Sequence, residues 1–235
     1  MIVLSFALPE ESKGIRPRLA GAKRSGPAAL PVIEGRLAGR EVTVLHTGMG
    51  MGSAALRVGA YLEDHAPAAW IAAGFGGALC ADLKIGDIVT GENFSDAALL
   101  AAIAGMAALP ARAGSIISTK EVVETAVQKK DLGRHTGALV VDMETAAIHR
   151  LCTAKGVPVL AVRAISDTAA QDLPAPAAVW FDVKRQRPRP LPLLFYLACH
   201  PRRIGPFANF VGGIGRARGC LTDFLCGVME RMPEK

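Results

Sequence analysis

The sequence predicts an α/β domain: a central, twisted, mixed but largely parallel sheet flanked by helices, with an amphipathic helical extension at the C-terminal side. Three observations carry this. Short apolar runs recur over the first 170 residues without strict alternation, as strands buried on both faces do. Segments of helical period lie between several of them. From about residue 171 the chain turns Pro- and Arg-rich, then mixes apolar with basic residues. The expected organisation is a body over 1–170. Residues 171–235 then form a connection and helical extension packed on or near the site.

The strands are expected at 1–7, 42–46 ("VTVLH"), 69–73, 87–90 ("DIVT"), 115–118 ("SIIS"), 138–141 ("ALVV") and 158–164 ("PVLAVRA"). The first run has no basic start and stops at Pro9, so it reads as a strand rather than a signal peptide. Helices are expected at 52–65, 119–129 and 143–155. In the last, Ala147, Ile148, Leu151 and Cys152 make one apolar stripe, and Gly156-Val157-Pro158 stops it. "AAQDLPAPAAVW" (169–180) is an Ala/Pro connection, and "KRQRPRPLPLL" after it holds too much proline for a helix interior. The remaining tail reads as short amphipathic helices broken at Pro201, Pro206 and Gly212-Gly213.

With 51% of its 235 residues hydrophobic, the chain can bury a sizeable core. Five cysteines with no C-x-x-C pair, and five histidines without ligand spacing, argue against a zinc site or a disulfide framework. A reduced, cytoplasmic compartment is expected. The longest tail run, "LPLLFYLAC", has about half the length of a membrane span. The net charge of +6 is local: residues 183–222 carry eight Lys/Arg and no Asp/Glu, so the rest of the chain stands near −2. That distribution excludes a basic body built for nucleic acid and suits a tail that touches an anionic membrane face.

Four strand exits look chemical, since ligands of open α/β sheets bind beyond the carboxyl ends of strands. "HTGMGMGS" (46–53) brings backbone at Gly48 and Gly50 to the start of a helix, where N–H groups point outward. It is no Walker A loop, and Ser53 stands where a dinucleotide motif needs its third glycine. "AAGFGGALCADLKIGDIVT" (72–90) offers Gly74, Phe75 and Gly76 as a floor under a flat ligand. "VVDMETAAIH" ends a buried strand in carboxylates, and "AVRAISDTA" ends another with Arg163, Ser166 and Asp167. Each has a plainer reading, as a tight turn, a bend, a helix cap or a turn cap. A pair of carboxylates, Glu144 and Asp167, can also divide labour, one ionised and one protonated.

Taken jointly and in this order, "TGMG", "LKIGDIV", "VDMETAAI" and "VRAISD" resemble the nucleoside phosphorylase/nucleosidase superfamily. That group includes purine nucleoside phosphorylases and methylthioadenosine/S-adenosylhomocysteine nucleosidases. The resemblance covers about residues 1–170 and rests chiefly on "DMETAAI" and "VRAISD". It implies the nucleoside phosphorylase fold, a homo-oligomer, no metal or organic cofactor, and cleavage of an N-glycosidic bond. By position, Asp167 matches the acid at purine N7, with Ser166 helping to hold it. Glu144 matches the carboxylate on the ribose hydroxyls, and Met143 packs on the sugar. Val122 and Val123 fall among base-binding residues, and Arg163 orients its neighbours. An oxocarbenium-like transition state is served by such groups, with a raised pKa suited to Asp167 and an ordinary one to Glu144.

Nucleosidases of this group activate water with a glutamate that "ALPEES" places at Glu11. Phosphorylases carry an arginine where this chain has Ala72. Both points favour hydrolysis. Phe75 departs from both patterns, which have Ser there, and Arg16 and Arg18 keep phosphate open as a co-substrate. The stretches 114–147 and 162–174 look closer to a subgroup found with hopanoid biosynthesis, thought to release adenine from adenosylhopane. The expected substrate is therefore a 5′-modified adenosine, lipid-linked in the preferred case. Methylthioadenosine/S-adenosylhomocysteine cleavage, phosphorolysis and a non-catalytic nucleoside-binding or membrane-surface protein are the alternatives.

Overall fold

The computed structural model describes residues 1–104 and 110–231. The last four residues of the expected extension, 232–235, lie outside the described residues. The strands are β1 Ile2–Phe6, β2 Ala20–Ser25, β3 Val32–Leu37, β4 Arg40–His46, β5 Ala69–Ala78, β6 Ile88–Gly91, β7 Ala111–Gly114, β8 Ile116–Ser118, β9 Val140–Asp142, β10 Val159–Asp167, β11 Phe181–Asp182 and β12 Arg187–Pro188. The helices are α1 Pro9–Ser12, α2 Met51–Asp64, α3 Ala97–Ala104, α4 Ala126–Thr136, α5 Thr145–Ala154, α6 Ala177–Trp180, α7 Pro190–Cys199 and α8 Ile204–Arg231. The main sheet runs β2-β3-β4-β1-β5-β10-β6-β7, with β9 on β5 and β8 on β9. Its centre, β4-β1-β5-β10, is parallel, and antiparallel pairings flank it. The mixed, largely parallel sheet read from the sequence is present.

Central strands are covered on both faces, which explains their unbroken apolar runs. Successive residues divide between two cores, as a period of two requires. Val3, Trp70 and Ala72 pack with Val58 and Leu62 of α2 and Ile148 and Cys152 of α5. Leu4, Ile71 and Leu160 pack on the other side with Leu221, Phe224, Leu225 and Val228 of α8. Each fully buried Leu, Val or Phe there stabilises by about 1.5–3 kcal/mol.

Four local expectations are corrected. The hairpins β2–β3–β4 were not foreseen. The β3–β4 turn is Ala38-Gly39, both with positive φ (50° and 81°), and alanine at such a position is no turn signal. The helix expected at 119–129 begins at Ala126, because Thr125 and Gln128 form a capping box there. The glycine-rich stretch 74–78, whose plainer reading is a bend, is strand. A Cβ on Gly77 would come 3.1 Å from Asp167 Oδ2, and one on Gly76 would strike Val140. Finally, α8 runs unbroken through Pro206 and Gly212-Gly213. Pro206 is its third residue, a position where an N–H would have no intrahelical acceptor, so the proline sacrifices no helix hydrogen bond. Gly213 lets the helix approach the β5–β6 connection and the end of β10, since a Cβ there would sit 3.2 Å from Ile85 and 3.5 Å from the Ser166 carbonyl.

Candidate active site

The carboxyl ends of β1, β5 and β10, parallel neighbours, open on one side of the sheet. A cavity of about 600 Å³ lies there. Glu11, Glu144 and Asp167 all line it, with Met143, Ser166, Phe75, Gly76 and Val122. Three carboxylates far apart in sequence thus meet in one hollow. The other predicted residues stand behind its wall. Gly50 donates its N–H to Glu144 Oε1 at 2.6 Å, and its φ of 91° is a glycine conformation. A Cβ on Gly74 would come 2.8 Å from Glu11 Oε1. Gly48 pairs with the Ala7 carbonyl. Val123 joins the small core of Leu79, Ala138 and Val141.

Glu11 sits on α1, straight after β1. Its Oε2 accepts from the Leu8 N–H (2.9 Å) and its Oε1 from the Phe75 N–H (2.8 Å). Neighbouring Glu10 pairs with Lys13 and with Arg218 of α8, tying the short helix down. Burial pushes the Glu11 carboxyl above its ordinary range, against the Leu8 and Phe75 N–H groups. A carboxyl raised in this way is a stronger base than an ordinary glutamate.

"DMET" splits its two carboxylates by task. Asp142 is structural. Its Oδ1 accepts from Ser118 (2.5 Å) and its Oδ2 from the Thr145 N–H and hydroxyl and from Arg163 Nε (2.9 Å) and Nη2 (2.5 Å). Arg163 also donates to the Ala72 and Val162 carbonyls (2.7 and 2.8 Å). It is saturated, buried and outside the cavity lining. Asp142 and Glu144 both line the cavity, but Glu144 meets the Gly50 N–H rather than a cation. Its carboxyl is pushed up to about 8, first by burial and then by the Asp142 charge, with the Gly50 N–H and Arg163 opposing. The expectation of an ordinary pKa for Glu144 is therefore corrected. Near neutral pH its surroundings hold it protonated, able to donate to a hydroxyl.

This makes a stability prediction. Below the ordinary 4.5 both folded and unfolded chains hold the proton; between 4.5 and about 8 only the folded chain does. Folding free energy from this group is therefore lost as pH rises through that window. Glu144→Gln should raise Tm by roughly 5 °C above pH ~8 and change it little near pH ~5. A difference between variant and parent that stays constant with pH would sink the assignment.

Asp167 ends β10 beside Ser166, whose hydroxyl donates to its Oδ1 at 2.6 Å. Its Oδ2 is paired with Lys129 of α4, a side chain with no exposed surface. Lys129 also donates to the Thr168 and Gln171 carbonyls at 3.1 and 2.7 Å, so its three N–H groups are matched. Sequence reading missed Lys129, because nothing distinguishes it from exposed Lys130 next to it. It missed Gln186 too. That side chain exchanges two hydrogen bonds with the Met49 backbone (2.7 and 2.8 Å) and bonds Ser53, strapping residues 180–188 over the Gly48–Ser53 turn. Trp180, Phe181 and Pro188 of the strap, with Phe210 and Ile214 of α8, supply an apolar rim. Arg16 and Arg18 are exposed and do not line the cavity; Arg18 pairs with Asp223.

A layered sheet with this site beyond its strand ends defines an α/β protein of the nucleoside phosphorylase fold. A family model described as "Phosphorylase superfamily" matches residues 2–104 and 91–188. The chain belongs to that superfamily and is an enzyme of it. The 5′-methylthioadenosine/S-adenosylhomocysteine nucleosidase of Haemophilus influenzae is 28% identical over 193 residues, 68% of this chain and 83% of that one. The nucleosidase of the same name from Shewanella piezotolerans is 29% identical over 185 residues, 66% and 79% of the two chains. The solved nucleosidase of Neisseria meningitidis, in complex with methylthio-immucillin-A, superposes with a TM-score of 0.74 over 98% of this chain and 99% of its own, at 19% identity. The futalosine hydrolase of Helicobacter pylori gives 0.73 over 98% and 97%, at 17% identity. At such identities the structural likeness speaks for the fold.

Proposed function

We propose that this chain hydrolyses the N-glycosidic bond of a 5′-modified adenosine and releases adenine, with adenosylhopane as the preferred substrate. The observation that carries the reading is one cavity that joins four buried carboxylates, one of them the Arg163-paired Asp142, to an apolar rim. Asp167, held by Ser166 and Lys129, serves the leaving base at N7. Glu144 engages the ribose hydroxyls, with Met143 against the sugar. Glu11 takes the proton of the attacking water. Its raised carboxyl and its anchoring by two backbone N–H groups suit that task. Phe75 lies at the cavity wall where a flat or apolar group can meet it. The rim of Trp180, Phe181, Pro188, Phe210 and Ile214 suits a large apolar 5′ substituent rather than a short one. The names of the curated relatives support an adenine nucleoside as substrate class. A homo-oligomer and contact of the basic tail with a membrane face belong to the same reading.

Phosphorolysis is the second reading, with phosphate as co-substrate. Buried Ala72 and the outward placement of Arg16 and Arg18 weigh against it. The test is adenine release, followed by chromatography, from methylthioadenosine and from a 5′-long-alkyl adenosine, with and without phosphate. Release without phosphate is expected, faster with the alkyl substrate, and reduced roughly a hundredfold or more in Glu11→Gln. Release only with phosphate would overturn the hydrolytic reading. Release from neither substrate would favour a non-catalytic nucleoside-binding protein.

A further inference from the structure

Helix α7 is arranged inside out. Leu191, Leu194 and Phe195 recur at helical spacing on one face, and they are 76%, 62% and 73% exposed. The helix contains no buried residue, and its opposite face is only half-buried. The first turns of α8 continue the pattern, with Ile204 and Val211 each 52% exposed. Exposed Leu56 and Val127 elsewhere are single residues and need no explanation. A run of apolar side chains on two successive helices does. Charge is the second observation. Arg189 precedes α7, exposed Arg202 and Arg203 join α7 to α8, and no acidic residue occurs from 183 to 222.

We propose that α7 and the first turns of α8 form a docking face for an anionic lipid bilayer. Apolar side chains enter the acyl boundary while the flanking arginines meet lipid headgroups. A second copy of the chain fits this face less well, because two-fold pairing would set the same arginines against one another. No described helix is long and apolar enough to cross a membrane, so the contact is interfacial. Placement adds a reason for the face. Phe210 and Ile214 of α8 and Trp180 of the strap line the cavity, so the segment that touches lipid also builds the rim. A lipid-linked nucleoside then passes from bilayer to site along one apolar surface. That purpose rests on the proposed substrate; the docking itself does not.

The full chain is sedimented with vesicles of phosphatidylcholine alone or mixed with phosphatidylglycerol. Partitioning into the anionic vesicles should exceed the neutral ones by about tenfold and weaken as salt is raised. The double variant Leu194→Glu/Phe195→Glu should lose at least about tenfold in partitioning, and Arg202→Glu/Arg203→Glu should lose the anionic preference. All four side chains lie outside the cavity, so Tm and adenine release from methylthioadenosine stay at parental values. A parent chain that remains in the supernatant with both vesicles overturns the proposal. So does unchanged binding by Leu194→Glu/Phe195→Glu, or a parental dimer that this variant dissociates, which would give the face to a second copy. Vesicle binding without adenine release would leave the docking face standing and remove the nucleosidase reading.

Discussion

Asp167→Asn is expected to lower the turnover of adenine release by roughly 10²–10⁴-fold. The carboxamide matches the carboxylate in size but cannot take up a proton and relay it to a departing purine. The surroundings leave it no substitute. Ser166 already donates to Oδ1, and Lys129 is spent on Oδ2 and two carbonyls. The variant also removes the counter-charge of a buried ammonium, so some loss of Tm accompanies it. Turnover should therefore be measured well below the variant's Tm, on protein with parental circular dichroism. A rate within about threefold of the parent would remove Asp167 from the chemistry.

Arg163→Met should have the largest effect on stability, a loss of about 3–5 kcal/mol. The guanidinium and Asp142 are 3% and 1% exposed at the side chain. Removing the cation leaves a buried carboxylate with hydroxyl and N–H partners but no opposite charge. It also frees the Ala72 carbonyl in the middle of the sheet. A fall of roughly 10 °C in Tm is expected. Asp142→Asn in the same background should recover part of it, because the stranded charge disappears. A Tm within about 3 °C of the parent would show the pair to be dispensable. The two variants separate roles that the sequence places side by side: Asp167 faces the cavity free of Arg163, whereas Arg163, outside the lining, holds Asp142 in the cavity wall.

Much of this was legible in the chain itself. Apolar runs without alternation marked the buried strands at 42–46, 69–73 and 158–164, because a strand covered on both faces needs no polar side. Glycines and carboxylates at the exits of those strands marked where a ligand belongs. Glu144 and Asp167 stand at those exits, the family resemblance adds Glu11, and the three converge in one cavity. Hairpin β3–β4 escaped notice because its turn uses alanine where glycine or asparagine is the usual sign. Helix α4 was placed too early because a Thr–Gln cap outweighs a run of moderate helix formers.

Other features belong to the tertiary structure alone. Lys129 and Lys130 are identical in sequence context, yet packing buries one against Asp167 and leaves the other in water. Glu144 carries a raised carboxyl because the fold surrounds it with apolar wall and a neighbouring charge, neither of which is a property of "DMET". Gln186, more than a hundred residues from Met49, straps the rim through two backbone hydrogen bonds that no spacing announces. The tail shows the division most clearly. Its composition determined that it would be basic and amphipathic. Only the three-dimensional packing decided that the second half of α8 would enter the core while α7 kept its apolar face in solvent. A sequence records which side chains prefer burial; the geometry of the sheet and its covering helices sets how many can be buried, and which are left outside.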